Sequence, residues 1–285
     1  MSALQIGALG AIAGFTIFLG LPVGRLRHPS LRMKAVLNAT ATGVLLFLFW
    51  DVLAHAVEPI ESALTATTRE ETGSWTRFVV FVAVGAASLV LGLMSLAYYQ
   101  QWMTNKPADT GRAHGPGAAS VAEFTETRGA ITATSGRRLA LLIAVGIGLH
   151  NFSEGLAIGQ STAAGEISLA VLLIVGFGLH NATEGFGIVA PLAGEPSRPS
   201  WGFLALLGLI GGGPTFLGTL LGQSFVNDTV SVAFLGLAAG SILYVVAQLL
   251  YVARNLGHTT LMYWGLLLGL LLGFATDFVI VAAGA

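Results

Sequence analysis

Residues 139–159 read LALLIAVGIGLHNFSEGLAIG, and residues 167–190 read ISLAVLLIVGFGLHNATEGFGIVA. Neither run contains Lys or Arg, and each is long enough to cross a hydrocarbon core about 30 Å thick as a helix. Six further stretches have that character: about 3–22, 35–57, 78–99, 201–226, 229–252 and 259–283. In lipid every backbone polar group must be satisfied within the segment, so each stretch is expected to be a helix. The predicted fold is therefore an all-α polytopic membrane protein with eight transmembrane helices.

Composition agrees. Of the 285 residues, 54% are hydrophobic and 9% charged, and the mean hydropathy is +0.79. A soluble domain carries about 25% charged residues. There is no cysteine, which excludes disulfides and thiolate ligation of a metal. Residues before Arg25 lack the basic start of a secretory signal, so the first stretch is expected to be a retained span. No nucleic-acid partner is expected; the partners foreseen are the bilayer and an ion.

Eleven of the 13 basic residues fall in alternate connections: Arg25, Arg27, Arg32 and Lys34; Lys106, Arg112, Arg128, Arg137 and Arg138; Arg198; and Arg254. The opposite side has Arg69 and Arg77 alone. The positive-inside rule then puts both termini outside the cytoplasm, in what is expected to be the plasma membrane. The chain divides into spans one to three (1–103), a flexible cytoplasmic loop (104–137, rich in Gly, Ala, Thr and Pro) and spans four to eight (138–285), within one membrane domain. The stretch from Glu58 to Thr76 is expected to be a solvated acidic loop outside.

The two opening runs contain one motif twice. Val145 to Ile158 and Val175 to Ile188 match at nine of 14 positions, with an offset of 30 residues. Consecutive spans run in opposite directions, so the motif is written upward in one helix and downward in the next, as in inverted-repeat transporters with a midplane site. His150 lies about 16 Å into its span and His180 about 20 Å, near the middle of the core. The i, i+4 spacing puts His150 with Glu154, and His180 with Glu184, on one helical face. Asn151 and Asn181 add two amide oxygens. A carboxylate at the bilayer centre costs roughly 2.5–3.5 kcal/mol or more. Two facing carboxylates also repel, and no Lys or Arg lies in a span core to neutralise them. A divalent cation would. Nitrogen and oxygen ligands without sulfur suit zinc, Fe(II), manganese or cobalt, and imidazole argues against magnesium and calcium. The glycines around both motifs (Gly146, Gly148, Gly155 and Gly159; Gly176, Gly178, Gly185 and Gly187) allow close helix approach.

With these motifs, His150-Asn-Phe-Ser-Glu-Gly155 and His180-Asn-Ala-Thr-Glu-Gly185, the chain resembles the ZIP (Zrt/Irt-like) family of divalent metal transporters, and within it the ZupT-like branch. The resemblance implies a ZIP helix bundle with inverted-repeat character, a mononuclear or binuclear site between spans four and five, and uptake toward the cytoplasm. By motif position the ligands would be His150, Asn151, Glu154, His180, Asn181 and Glu184, with zinc foremost as transported substrate and iron, manganese or cobalt as others. A homodimer is a family-level expectation. The chain departs from the pattern where Ser153 and Thr183 replace two prolines. Span six has Gly211-Gly-Gly-Pro214 in place of an acid, and span seven has Gln248 for a Glu.

Other polar groups lie within spans. Asp51 and His55, one turn apart, read either as an entrance relay or as an interfacial pair. Asp277 is expected near the surface, Gln248 in an interhelical hydrogen bond, and Pro214 at a kink. Two alternatives to transport of a metal stand: a proton-relay carrier or channel for another solute, and a membrane metalloenzyme. The second is disfavoured, because the spacing is His-x-x-x-Glu and no His-Glu-x-x-His occurs, so the chain is not read as an enzyme.

Overall fold

The computed structural model describes the backbone of residues 3–26, 30–69, 73–105, 121–163, 167–194, 197–224 and 227–282. The chain is helical throughout, with no strand among these residues. The first span is α1 (Ala3–Phe15), broken at Thr16 and continued by the short α2 (Ile17–Gly20) and a 3-10 turn (Leu21–Arg25). The rest follow as α3 (Leu31–Thr68), α4 (Trp75–Asn105), α5 (Val121–Ala163), α6 (Ile167–Val189), α7 (Trp201–Gly222), α8 (Asp228–Asn255) and α9 (Thr259–Ala282). Among the described residues, eight segments are long and apolar enough to cross a membrane, and they overlap the eight predicted from sequence.

The helix starts follow local chemistry. Ser30, Ser200 and Asn227 each accept a backbone N–H from the first turn of α3, α7 and α8, supplying partners that the helix itself cannot. Trp75 and Trp201 open α4 and α7 with exposed indoles, as expected of residues anchored where lipid meets water. Gly257, at φ 74°, turns the chain between α8 and α9.

Two expectations are corrected. The loop foreseen over 104–137 is partly helix, because α5 begins at Val121. Residues 121–135 are built largely of Ala, Glu, Thr and Arg, and Ala, Glu and Arg are strong helix formers, so a polar helix extends the span. Residues 106–120 lie outside the described residues. The acidic stretch after residue 57 is also helical as far as Thr68. Glu58 and Glu61 sit on the last turns of α3, facing a recess they share with Arg77 and Asp228. Glu70 and Glu71 lie outside the described residues.

The helices sort into two groups. One comprises α1, α2, α5, α6 and α7; its main contacts are α5 on α7, α1 on α7, and α6 against α1 and α2. The other comprises α3, α4, α8 and α9, joined by α3–α9, α4–α8 and α3–α8 packing. Glycines make the closest approaches. Gly155 and Gly159 lie against the backbone of α7 at Thr215 and Thr219, and Gly185 lies against Ile17 and Gly20. Pro214 lies within α7 and cannot donate an N–H to the carbonyl of Ile210. Gly148 packs directly against that carbonyl.

Candidate functional site

The two motifs face each other. His150 and His180 have ring centroids 6.2 Å apart. The Glu154 Oε1 atom lies between them, 2.9 Å from His150 Nε2 and hydrogen-bonded at 2.5 Å to His180 Nε2. Glu184 Oε1 is 3.7 Å from His150 Nε2. His150, Glu154 and Glu184 are buried, and His180 is 10% exposed. Ligand atoms of His150, His180 and Glu184 all lie within 4.8 Å of one another. Two ligands on a single zinc, each about 2.1 Å from it, are at most about 4.2 Å apart. The cluster would have to contract to hold one ion at that spacing.

The repeat in sequence is also a repeat in contacts. Asn151 Nδ2 donates to the Gly211 carbonyl of α7 at 2.9 Å, and Asn181 Nδ2 donates to the Ala13 carbonyl of α1 at 3.1 Å. Ala13 lies in the last turn of α1, next to the break at Thr16, and its carbonyl also accepts from the Thr16 hydroxyl at 2.7 Å. Ser153 and Thr183 each donate to the carbonyl of their own motif histidine at 2.7 Å. Thus α5 sits on α7 as α6 sits on α1 and α2. Anchoring each amide nitrogen fixes the orientation of its oxygen.

The oxygens are left without partners. Nine buried polar side-chain atoms lack a hydrogen bond among the described residues, and seven belong to the six motif residues: both ring nitrogens of His150 (Nε2 being the atom 2.9 Å from Glu154 Oε1), Asn151 Oδ1, Asn181 Oδ1, Glu154 Oε2 and both carboxylate oxygens of Glu184. Buried polar groups nearly always have partners, and leaving one unmade costs about 1–3 kcal/mol. Buried oxygens in excess of the donors that two imidazoles can supply suit a cation.

On one side the cluster opens to a cavity of about 250 Å³ between α3, α6 and α9. Its polar lining is Asp51, His180, Thr183, Thr276 and Asp277. On the other side it is closed by apolar packing. Leu45, Ile143, Ile147, Ile188, Val245 and Leu249 are at most 1% exposed and belong to one core.

Of the six residues singled out from sequence, His150, Glu154, His180 and Glu184 are brought together, while Asn151 and Asn181, next to the two histidines in the chain, bond through their amide nitrogens to α7 and α1. Asp51 and Asp277 line the adjoining cavity, and sequence alone left Asp277 at the surface. The residue shares the cavity wall with His180, and Gly273, one turn earlier on α9, marks the same face. His55 pairs with Asp51 at 3.6 Å but points outward with a 63% exposed side chain. Gln248 is hydrogen-bonded as expected, donating to Gln100 at 3.1 Å beside the Tyr244 hydroxyl.

Among known proteins, the family model described as ZIP Zinc transporter matches residues 1–280. No curated protein matches the chain.

Proposed function

This chain belongs to the ZIP zinc transporter family, an integral membrane family of divalent metal transporters, and we propose that its own cargo site is the cluster between α5 and α6. His150, His180, Glu154 and Glu184 would hold the ion, with Asn151 and Asn181 contributing amide oxygens. The observation that carries this reading is the buried cluster of two imidazoles and two carboxylates, with four of its neighbouring carboxylate and amide oxygens lacking a hydrogen bond besides the free Glu154 oxygen, where no Lys or Arg is present. A doubly charged ion balances two carboxylates, and imidazole with oxygen ligands favours zinc, with Fe(II), manganese and cobalt as further substrates.

All six ligand candidates ride on one helix group, while the cavity wall opposite is supplied by α3 and α9 of the other group. Movement of one group past the other would expose the site alternately. With the positive side cytoplasmic, the cavity opens outward, the apolar layer faces inward, and transport is uptake across the plasma membrane with both termini outside. Transport, not turnover, is the activity.

Glu154 also favours a second reading, because one carboxylate oxygen joining two imidazoles is the geometry of a proton relay. One experiment separates the two. Imidazole must be neutral to ligate, so protons compete with the metal, and zinc uptake into proteoliposomes should fall by about tenfold as external pH drops from about 7.5 to about 5.5. Proton flux down a gradient without metal, and no zinc uptake at any pH, would decide for the relay.

A further inference from the structure

Resting on the transport reading, we propose that Thr183 is an additional oxygen ligand for the incoming ion, one that tunes selectivity among metals. Thr183 lines the cavity beside His180 and stands one residue before Glu184. Its hydroxyl hydrogen is committed to the His180 carbonyl at 2.7 Å. What remains for a ligand in the cavity is a pair of acceptor lone pairs. Thr276, across the cavity on α9, is oriented likewise, donating to the Leu272 carbonyl at 2.9 Å. With two carboxylates completing the polar lining beside His180, the wall is dominated by acceptors.

The two copies of the motif differ here. Ser153 makes the same bond to the His150 carbonyl, but it is buried and does not line the cavity. The hydroxyl on α6 therefore meets the entering ion, and the one on α5 does not. An ion leaving the cavity for His180 and Glu184 passes the Thr183 oxygen before it is fully dehydrated by the site. Oxygen donors favour manganese relative to zinc, whereas the imidazoles favour zinc, so this oxygen widens the range of metals accepted.

The test is initial-rate uptake of Zn²⁺ and Mn²⁺ into proteoliposomes for wild type, Thr183→Val, Thr183→Ser and Ser153→Ala. Valine keeps the shape and β-branching and removes the acceptor. For Thr183→Val, the ratio of uptake rate to half-saturating concentration should fall about tenfold for Mn²⁺ and about twofold for Zn²⁺, the change lying in half-saturation. Thr183→Ser should restore both, and Ser153→Ala should leave the Mn²⁺/Zn²⁺ ratio unchanged. A loss equal for both metals, or matched by Ser153→Ala, would mean that the hydroxyl only shapes the helix and would overturn the proposal, as would wild-type behaviour of Thr183→Val. Absence of uptake in the wild type would instead overturn the transport reading, and this ligand with it.

Discussion

Joint replacement of His150 and His180 by alanine should abolish zinc uptake in proteoliposomes, with a fall of at least about 100-fold. Both imidazoles lie against Glu154 in the buried cluster. Loss of a residue that merely orients a metal ligand already costs about 10–100-fold in affinity or activity, and here two direct nitrogen donors go. The remaining carboxylates would face each other with no neutralising group, and would be expected to take up protons in place of metal. Uptake by the double variant within about twofold of wild type, at equal amounts of monodisperse protein, would refute the assigned site; that threshold is far below the loss of even one ligand-orienting group.

The second large effect concerns the helix contacts that hold the two motifs in place. A Cβ added at Gly155 would lie 2.8 Å from Thr219 N and 2.9 Å from Thr215 C. At Gly185 it would lie 2.9 Å from the Gly20 Cα. These are backbone atoms and cannot rotate away, so the helices must separate. Overpacking of this kind costs about 1–3 kcal/mol for small additions, and Gly155→Val or Gly185→Val should exceed that range. The same interfaces carry the Asn151 and Asn181 anchors, so uptake should fall with stability. Gly202 and Gly213 are the controls, since nothing lies within 4 Å of an added Cβ there. Their alanine variants should be neutral or gain up to about 1 kcal/mol from helix propensity. Thermal unfolding in detergent measures the contrast. Equal midpoints for Gly185→Val and Gly213→Ala would show that the close approach of α6 to the first span is not a constraint.

The transmembrane pattern was legible because lipid imposes it: a run of some 20 apolar residues has one solution, the helix. The candidate site stood out in the sequence because the motif is duplicated. A single buried histidine is ambiguous, whereas two His/Glu pairs in consecutive antiparallel spans locate a shared depth and a shared face. Helix partners could not be read. Glycine at 155 announces a close neighbour, but only coordinates identify α7 for Gly155 and the first span for Gly185. Asp277 was misplaced for a related reason. Its distance from the end of the chain suggested the surface, while its facing, set by α9 packing on α3, puts it on the cavity wall. The limits of α3 and α5 were also drawn too short, because hydropathy marks where the lipid ends and not where the helix does. Glu61 and Glu123 are polar but are good helix formers, and helix formation continues through both beyond the apolar segment.

Metal content tests the central claim most directly. The wild-type protein would be purified in detergent, equilibrated with zinc, desalted and analysed for bound metal per chain, beside the His150→Ala/His180→Ala variant. The wild type should retain about one zinc or more per chain at pH about 7.5 and lose it on acidification, because ligation requires neutral imidazole. The double variant should retain less than about a tenth of that. Equal zinc content in the two proteins would contradict placement of the ion between α5 and α6.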